Sequence, residues 1–179
     1  MIFLRHPKPD IPQNVCYGRT DMDIAEIGHQ QIINAVKITP PLTRIIASPA
    51  LRCRKLAEQL AKRENLELSF DERLWEMHMG DWEGVAWKDI NREESELWLE
   101  DTHNNSTPNG ESFRDVQQRV NNCIDTLLAD HNHDHRQTAI VCHASPIRAT
   151  QMAWNDLSFK QVFAVSPAFA TPIHIDPPE

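Results

Sequence analysis

The sequence has no run of about 18 apolar residues, so it offers no candidate for a membrane-crossing helix. The apolar start Met1-Ile2-Phe3-Leu4 breaks at Arg5-His6, too short for the core of a secretory signal, and none is expected. Paired cysteines are missing too. Cys16, Cys53, Cys123 and Cys142 are scattered, with neither a Cys-x-x-Cys pair nor zinc-ligand spacing. Reduced thiols in a cytoplasmic protein are the expectation. Positive charge is scarce: 18 Lys and Arg stand against 26 Asp and Glu, a formal net charge of −8. Such a surface repels polyanions, so no nucleic-acid partner and no membrane partner is expected. An acidic protein still binds a small anion where its few basic residues converge. Internal repeats and low-complexity linkers are absent, and nothing in the sequence marks an oligomeric state. The 179 residues, 40% of them hydrophobic, suit one domain over residues 1–179 with a real core.

What is there is an alternation of β-rich runs and helical patterns. Ile2-Phe3-Leu4, Arg44-Ile45-Ile46-Ala47, Leu66 to Phe70 and Thr138 to Cys142 read as strands, the last of the buried type. Gln161 to Val165 and Pro172 to Ile175 read as short later strands. Helical spacing covers Ile24 to Val36, Leu51 to Lys62, Trp87 to Leu99, Glu111 to Asp130 and Ile147 to Trp154. The Glu111 to Asp130 helix is the clearest, with Phe113, Val116, Val120, Cys123, Leu127 and Leu128 on one face and Ser112 as a cap. Strands separated by helices predict an α/β fold: a three-layer α/β/α sandwich around a mostly parallel sheet.

Two segments read as loops, Asp101 to Asn109 and Asp130 to Arg136. The second carries His131, His133 and His135, which either bind a metal or lie on a solvated turn. The turn is the better reading, because a short loop rarely preorganises a metal site. Trp82, Trp87, Trp98 and Trp154 are either core residues or part of a cover over a site, and core is the better reading for an unplaced tryptophan.

Ligands of an open parallel sheet bind beyond the carboxyl ends of its strands. The first strand ends in Arg5-His6, the second in Ser48-Pro49-Ala50-Leu51-Arg52 and the buried one in His143-Ala144-Ser145. Should these strands be neighbours, two arginines and two histidines surround one pocket, and a phosphate-sized anion is its natural occupant. Ser48 suits an N-cap and Pro49 a first helical position, which puts Arg52 in a first turn where the helix dipole also favours an anion. Each residue alone is weak: His6 and His143 read equally well as polar loop residues, and Arg52 as a surface arginine.

Taken in order, these segments resemble the histidine phosphatase superfamily, also called phosphoglycerate mutase-like. Leu4-Arg5-His6 looks like its Arg-His signature, and Cys16-Tyr17-Gly18-Arg19-Thr20-Asp21 is similar to the segment that follows. Ser48 to Arg52 resembles its second phosphate-binding arginine motif, and Leu74 to Gly84 the segment bearing its acid. Gly110-Glu111-Ser112 with Arg119-Val120 resembles its Gly-Glu-Ser helix, and Val141-Cys142-His143 with Ile147-Arg148 its second histidine motif. Two departures stand out. Pro7-Lys8-Pro9 replaces the usual glycine and small polar residues, and Ala144-Ser145 replaces the usual paired glycines. The Arg-His-Pro start with Cys-Tyr-Gly-Arg close behind looks most like the α-ribazole phosphatase branch.

The resemblance implies a phosphomonoester hydrolase with His6 as nucleophile and Glu76 as general acid and then base. It implies that Arg5, Arg52 and His143 clamp phosphoryl oxygens, and that Arg19 and Ala144 contribute to substrate binding. Its substrate would be a small phosphorylated metabolite, with α-ribazole 5′-phosphate of cobalamin assembly as one candidate; no metal and no cofactor are implied. The apolar neighbours Trp75, Met77, Met79 and Trp82 give Glu76 a setting that suits a carboxyl group holding a proton, although a solvated carboxylate fits the sequence as well and Glu83 is a nearby rival. Two other readings stay open: a mutase, disfavoured because little chain separates Glu76 from Gly110 to build an enclosing cover, and a non-catalytic phospholigand-binding module.

Overall fold

The computed structural model describes residues 1–177. Five strands form one sheet in the order β3-β2-β4-β1-β5. They are β1 (Ile2–Arg5), β2 (Arg44–Ala47), β3 (Leu68–Phe70), β4 (Thr138–Cys142) and β5 (Pro172–His174). The first four run parallel, and β5 pairs antiparallel with β1 at one edge. Six helices accompany them: α1 (Glu26–Ile38), α2 (Leu51–Glu64), α3 (Arg92–Glu100), α4 (Phe113–Leu128), α5 (Ala144–Asn155) and α6 (Phe159–Ala164).

Strand alternation sorts the interior into two cores, because successive side chains point to opposite faces of the sheet. Ile2, Leu4, Ile45, Ala47, Ala139 and Val141 face α1 and α2, packing on Ile32, Ala35, Leu56 and Leu60. Phe3, Ile46, Ile140 and Cys142 face the other way, onto Phe113, Val116 and Val120 of α4 and Ile147 and Ala149 of α5. The result is the expected three-layer arrangement. Every residue of β4 is buried, since this central strand is covered on both faces.

Several elements differ from the sequence reading, each for a local reason. The first long helix starts at Glu26, not Ile24, and leaves Ile27 and Ile33 exposed while Gly28, Ile32 and Ala35 turn inward. Trp87–Asp89 is a single 3-10 turn, and α3 begins only after Asn91, whose side chain accepts from the N–H groups of Glu93 and Glu94. The expected strand at Gln161 to Val165 is instead part of α6. Ser158 and Gln161 form a reciprocal capping box there, which starts a helix where β-branched content alone suggested a strand. The α5 helix starts at Ala144, three residues before its expected start. Ser112 caps α4 as expected, with Asp115 completing the box.

The cap of α2 is also a correction. Its N-cap is Ala50 rather than Ser48, and the helix begins at Leu51. Ser48 is drawn instead to His143, as described below. Arg52 still lies in the first turn.

Among the described residues, no helix is long and apolar enough to cross a membrane. No group of three His, Cys, Asp or Glu side chains there is placed to hold a metal ion. In the His131 to His135 loop, His133 Nδ1 sits 3.1 Å from Asp130 Oδ2, on a turn that leads into β4.

Candidate active site

The strand order assembles the site. β4 lies between β1 and β2, with Arg5 beside Cys142 and Ala47 beside Val141. Two further backbone bonds extend the ladder past the strand ends, from His6 N–H to the Cys142 carbonyl (2.9 Å) and from Ser48 N–H to the Val141 carbonyl (2.9 Å). The residues that follow the three strands therefore emerge side by side at one edge, where the strand order reverses.

His6 is fully buried. Its Nδ1 lies 2.7 Å from the carbonyl oxygen of Pro7. A carbonyl only accepts, so Nδ1 carries the proton of the neutral ring and Nε2 keeps its lone pair. Burial, and then the charges of Arg52 and Arg5, hold the His6 pKa well below 6.5, while the Pro7 contact pulls weakly the other way. Nε2 itself has no protein hydrogen-bond partner.

His143, also fully buried, stands with its ring 5.1 Å from that of His6, tilted by 59°. Its Nε2 lies 2.8 Å from Ser48 Oγ and 3.5 Å from Cys53 Sγ. Trp75 stacks on its other side at 6.0 Å. Burial, then Arg52 and His6, keep this ring neutral as well.

The two arginines approach from opposite sides. Arg52 is buried: its Nη1 donates to Thr20 O (2.9 Å) and its Nη2 to Gly18 O (2.7 Å), while Nε has no partner. Arg5 lies over the Phe169 ring at 4.0 Å and donates from Nη1 to Ser166 Oγ and Pro167 O, again with Nε unpaired. A buried polar atom without a partner is costly, and among the described residues the Nε–H groups of Arg5 and Arg52, whose charges both act on His6, and the His6 Nε2 lone pair share that condition. The chemistry of this set fits a phosphoryl group: donors for its oxygens and a nucleophile for its phosphorus.

Glu76 is held at the start of α5. Its Oε1 accepts from Met77 N (2.9 Å) and Ser145 N (3.2 Å), and its Oε2 from Ala144 N (3.2 Å). The Ala144 N–H, expected to face the substrate, is thus engaged with Glu76 in this state. Arg119 fixes the segment that presents Glu76, donating to the carbonyls of Arg73, Trp75 and Glu76 at 2.7, 2.7 and 3.0 Å. Glu111 in turn accepts from Arg119 and from His78 N.

Glu83, the rival carboxylate, has a different task. It accepts from Arg19 N (2.8 Å), Met79 N (3.1 Å) and the Thr20 N–H and hydroxyl. Burial pushes its pKa up, but these hydrogen bonds outweigh that and hold it below the usual carboxylate range. It pins the loop whose carbonyls hold Arg52. The Arg19 guanidinium pairs with Glu111 at 2.8 Å. Gly18 in this loop admits no side chain, because a Cβ would lie 2.1 Å from Met77 O.

Above these groups opens a cavity of about 480 Å³. Arg5, Glu76, Ala144 and Ser145 line it together with Trp87, Trp98, Phe159 and Phe163, while His6, Arg52 and His143 lie outside its lining. Trp87 is 46% exposed and belongs to this lining rather than to the core, whereas Trp82 is buried beneath it and packs edge-on against both Trp87 and Trp98. The sequence motifs included Arg119, Glu111 and Arg148 without a task for any of them. Phe159 belongs to no sequence motif, and the strand reading of Gln161 to Val165 gives Phe163 no place at the site.

A family model described as the histidine phosphatase superfamily (branch 1) matches residues 1–177. Phosphoserine phosphatase 1 of Hydrogenobacter thermophilus is 27% identical over 187 aligned positions, covering 98% of this chain and 86% of its own. A bifunctional protein of Mycobacterium tuberculosis is 28% identical over 155 positions, and there the match spans 42% of the relative's length. Among solved structures, mycobacterial glucosyl-3-phosphoglycerate phosphatase in complex with VO3 superposes with a TM-score of 0.81 at 25% identity, covering 96% of this chain and 90% of the other. The α-ribazole phosphatase of Shigella flexneri shares the fold, with a TM-score of 0.84 at 19% identity over 94% of this chain and 86% of its own. With the family model matched along all of its described length, the chain belongs to the histidine phosphatase superfamily.

Proposed function

We propose that this protein hydrolyses phosphomonoesters through a phosphohistidine on His6. The observation that carries the reading is the state of the His6 ring. Pro7 O accepts the Nδ1–H bond, and Nε2 is left with a lone pair and no partner among the described residues, under the positive charge of Arg52 and Arg5. Nε2 attacks phosphorus in line, and the bond from phosphorus to the leaving oxygen breaks. Arg5 and Arg52 take the charge that spreads over the equatorial oxygens. His143 adds a donor on a ring oriented by Ser48 and Trp75. Glu76 delivers a proton to the leaving oxygen. Its Oε2 accepts only one N–H and so has a second lone pair to carry that proton. In the second half, Glu76 takes a proton from water, the oxygen attacks phosphorus, and the bond to Nε2 breaks. Since His6 is fully buried, loading it requires the groups above it to move aside locally. The arginines supply the positive charge, so the steps use no metal or cofactor.

The substrate we propose is a small phosphorylated metabolite. The Cys16 to Asp21 segment and the shared fold with an α-ribazole phosphatase support α-ribazole 5′-phosphate as one candidate, and the absence of paired cysteines supports a cytoplasmic setting. The test is a phosphomonoester panel that includes α-ribazole 5′-phosphate and a phosphoglycerate, run on the wild type and on His6→Ala with circular dichroism of both. The expected result is hydrolysis without transfer by the wild type and loss of at least a thousandfold in a folded His6→Ala. Comparable turnover by that variant refutes the reading, and binding of vanadate with no hydrolysis of any panel member points to a non-catalytic module.

A further inference from the structure

The chain has 12 arginines, and the way they are partnered separates them. Arg19, Arg44, Arg54, Arg63, Arg73, Arg92 and Arg119 each have a carboxylate oxygen within salt-bridge distance. The five with no such carboxylate among the described residues divide by exposure: Arg114 and Arg136 lie in solvent, while Arg5, Arg52 and Arg148 are partly or fully buried. In a protein with net charge −8, three sheltered guanidinium groups without a carboxylate in contact are conspicuous. Two of them flank His6. The third, Arg148, lines the cavity with Arg5 and stands between α5 and α6.

Arg148 is held in place by its stem rather than by its charge. Its Nε donates to Val162 O (3.1 Å), and its guanidinium lies 4.3 Å over the Phe163 ring. Its two terminal nitrogens have no acceptor within hydrogen-bond distance among the described residues, and neither is sealed from solvent. The lining is apolar and flat-sided: the ring centroids of Trp87 and Trp98 lie 6.5 Å apart, and Phe159 and Phe163 stack at 4.3 Å. A small hydrophilic leaving group leaves such walls uncovered. A planar apolar body covers them, and a forked donor at their edge is matched to a carboxylate or a second phosphate.

We propose that Arg148 selects the substrate, holding a second anionic group carried on an aromatic body that lies between the tryptophan and phenylalanine walls. This rests on the phosphatase reading and narrows its substrate class to aromatic phosphomonoesters with a distal anion, a class that α-ribazole 5′-phosphate, with its single phosphate, does not meet. A purely structural alternative is that Arg148 supports the nearby Glu76 carboxylate, and the two make different predictions.

The experiment compares kcat/KM for two matched substrates, 4-(carboxymethyl)phenyl phosphate and its neutral amide, alongside O-phosphoserine. The wild type is expected to favour the carboxylate over the amide by roughly tenfold, as one charge-assisted pair warrants, and both over O-phosphoserine. In Arg148→Gln the tenfold preference collapses to within twofold, and Arg148→Lys retains part of it. A wild type indifferent to the distal charge, or an Arg148→Gln that slows both aryl substrates by the same factor, overturns the proposal. The second outcome assigns Arg148 to Glu76 instead. Equal use of O-phosphoserine and the aryl esters removes the aromatic part while leaving the phosphatase reading intact. No hydrolysis of any of the three by the wild type sinks that reading first.

Discussion

Arg119 and Glu76 are joined through the main chain: the Arg119 guanidinium donates to the Glu76 carbonyl at 3.0 Å, and to those of Trp75 and Arg73 just before it. The segment from Arg73 to Glu76 includes no strand or α-helix, so one side chain from α4 substitutes for the regular hydrogen bonds that would otherwise fix it. Lysine cannot make this fork. Arg119→Lys is expected to leave two carbonyls short of a donor and to lower stability by about 2–4 kcal/mol. It should also reduce kcat roughly tenfold with a smaller change in inhibition by inorganic phosphate. Urea denaturation and steady-state kinetics check both, and an unchanged kcat in a destabilised variant would confine Arg119 to a folding role.

Glu76 itself offers a sharper separation of steps. Glu76→Gln keeps the shape and can still accept from the Met77 and Ser145 N–H groups through its carbonyl oxygen, with its amide nitrogen left facing the Ala144 N–H. It cannot move a proton. With an aryl ester, whose leaving group needs little protonation, phosphorylation of His6 should survive better than the attack of water. Turnover is expected to fall about a hundredfold to ten-thousandfold while phosphorylated protein accumulates. Mass spectrometry at neutral pH, with loss of the added mass after acid treatment, reads this directly.

The loop between β1 and α1 carries a third expectation. Gly18→Ala places a methyl group against the Met77 carbonyl and Glu83 Oε1, so the loop must shift and its hold on Arg52 weakens. Inhibition by inorganic phosphate should weaken at least tenfold, whereas Glu83→Gln, which removes charge but little volume, should have an intermediate effect. Tight phosphate binding by a folded Gly18→Ala would show that Arg52 is not oriented through this loop.

The buried histidines govern how stability depends on pH. Burial, followed by neighbouring positive charge, keeps His6 and His143 neutral in the folded state with pKa values well below 6.5. The unfolded chain takes up protons at these sites near pH 6.5, and the folded chain does not. Stability is therefore complete above that pH and declines as pH falls below it, with each histidine contributing a slope of up to about 1.4 kcal/mol per pH unit until its folded pKa is reached. Urea midpoints between pH 7 and pH 5 should fall accordingly, and His143→Gln should flatten the decline. For the same reason, kcat/KM should show no acid limb at the usual imidazole pKa.

The four thiols are expected to be silent in the native state. Burial pushes Cys16 and Cys123 up to about 12, and Cys53 and Cys142 lie deeper still. Iodoacetamide at pH 8 should modify none of them until denaturant is added, as intact-mass analysis would show.

Local information in the chain determined a good deal. Strand β2 and strand β4 were legible to the residue, because three or four consecutive apolar positions between polar turns leave little alternative. The α4 stripe and its Ser112 cap were equally plain. So were the chemical types at the strand ends: the Arg-His, Ser-Pro-x-x-Arg and His-Ala-Ser segments stand in the sequence for anyone to read. Only the tertiary structure decided that they share an edge. The insertion of β4 between β1 and β2 is a long-range pairing, settled by burial over the whole sheet and not by any short window. The same holds for Ser48, which turned from an expected cap into a partner of His143 once β2 and β4 became neighbours. It holds for Arg19 and Arg148 as well. Whether an arginine is neutralised by a carboxylate or left facing a cavity depends on which distant side chains come within a few ångströms, and linear spacing does not encode that distance.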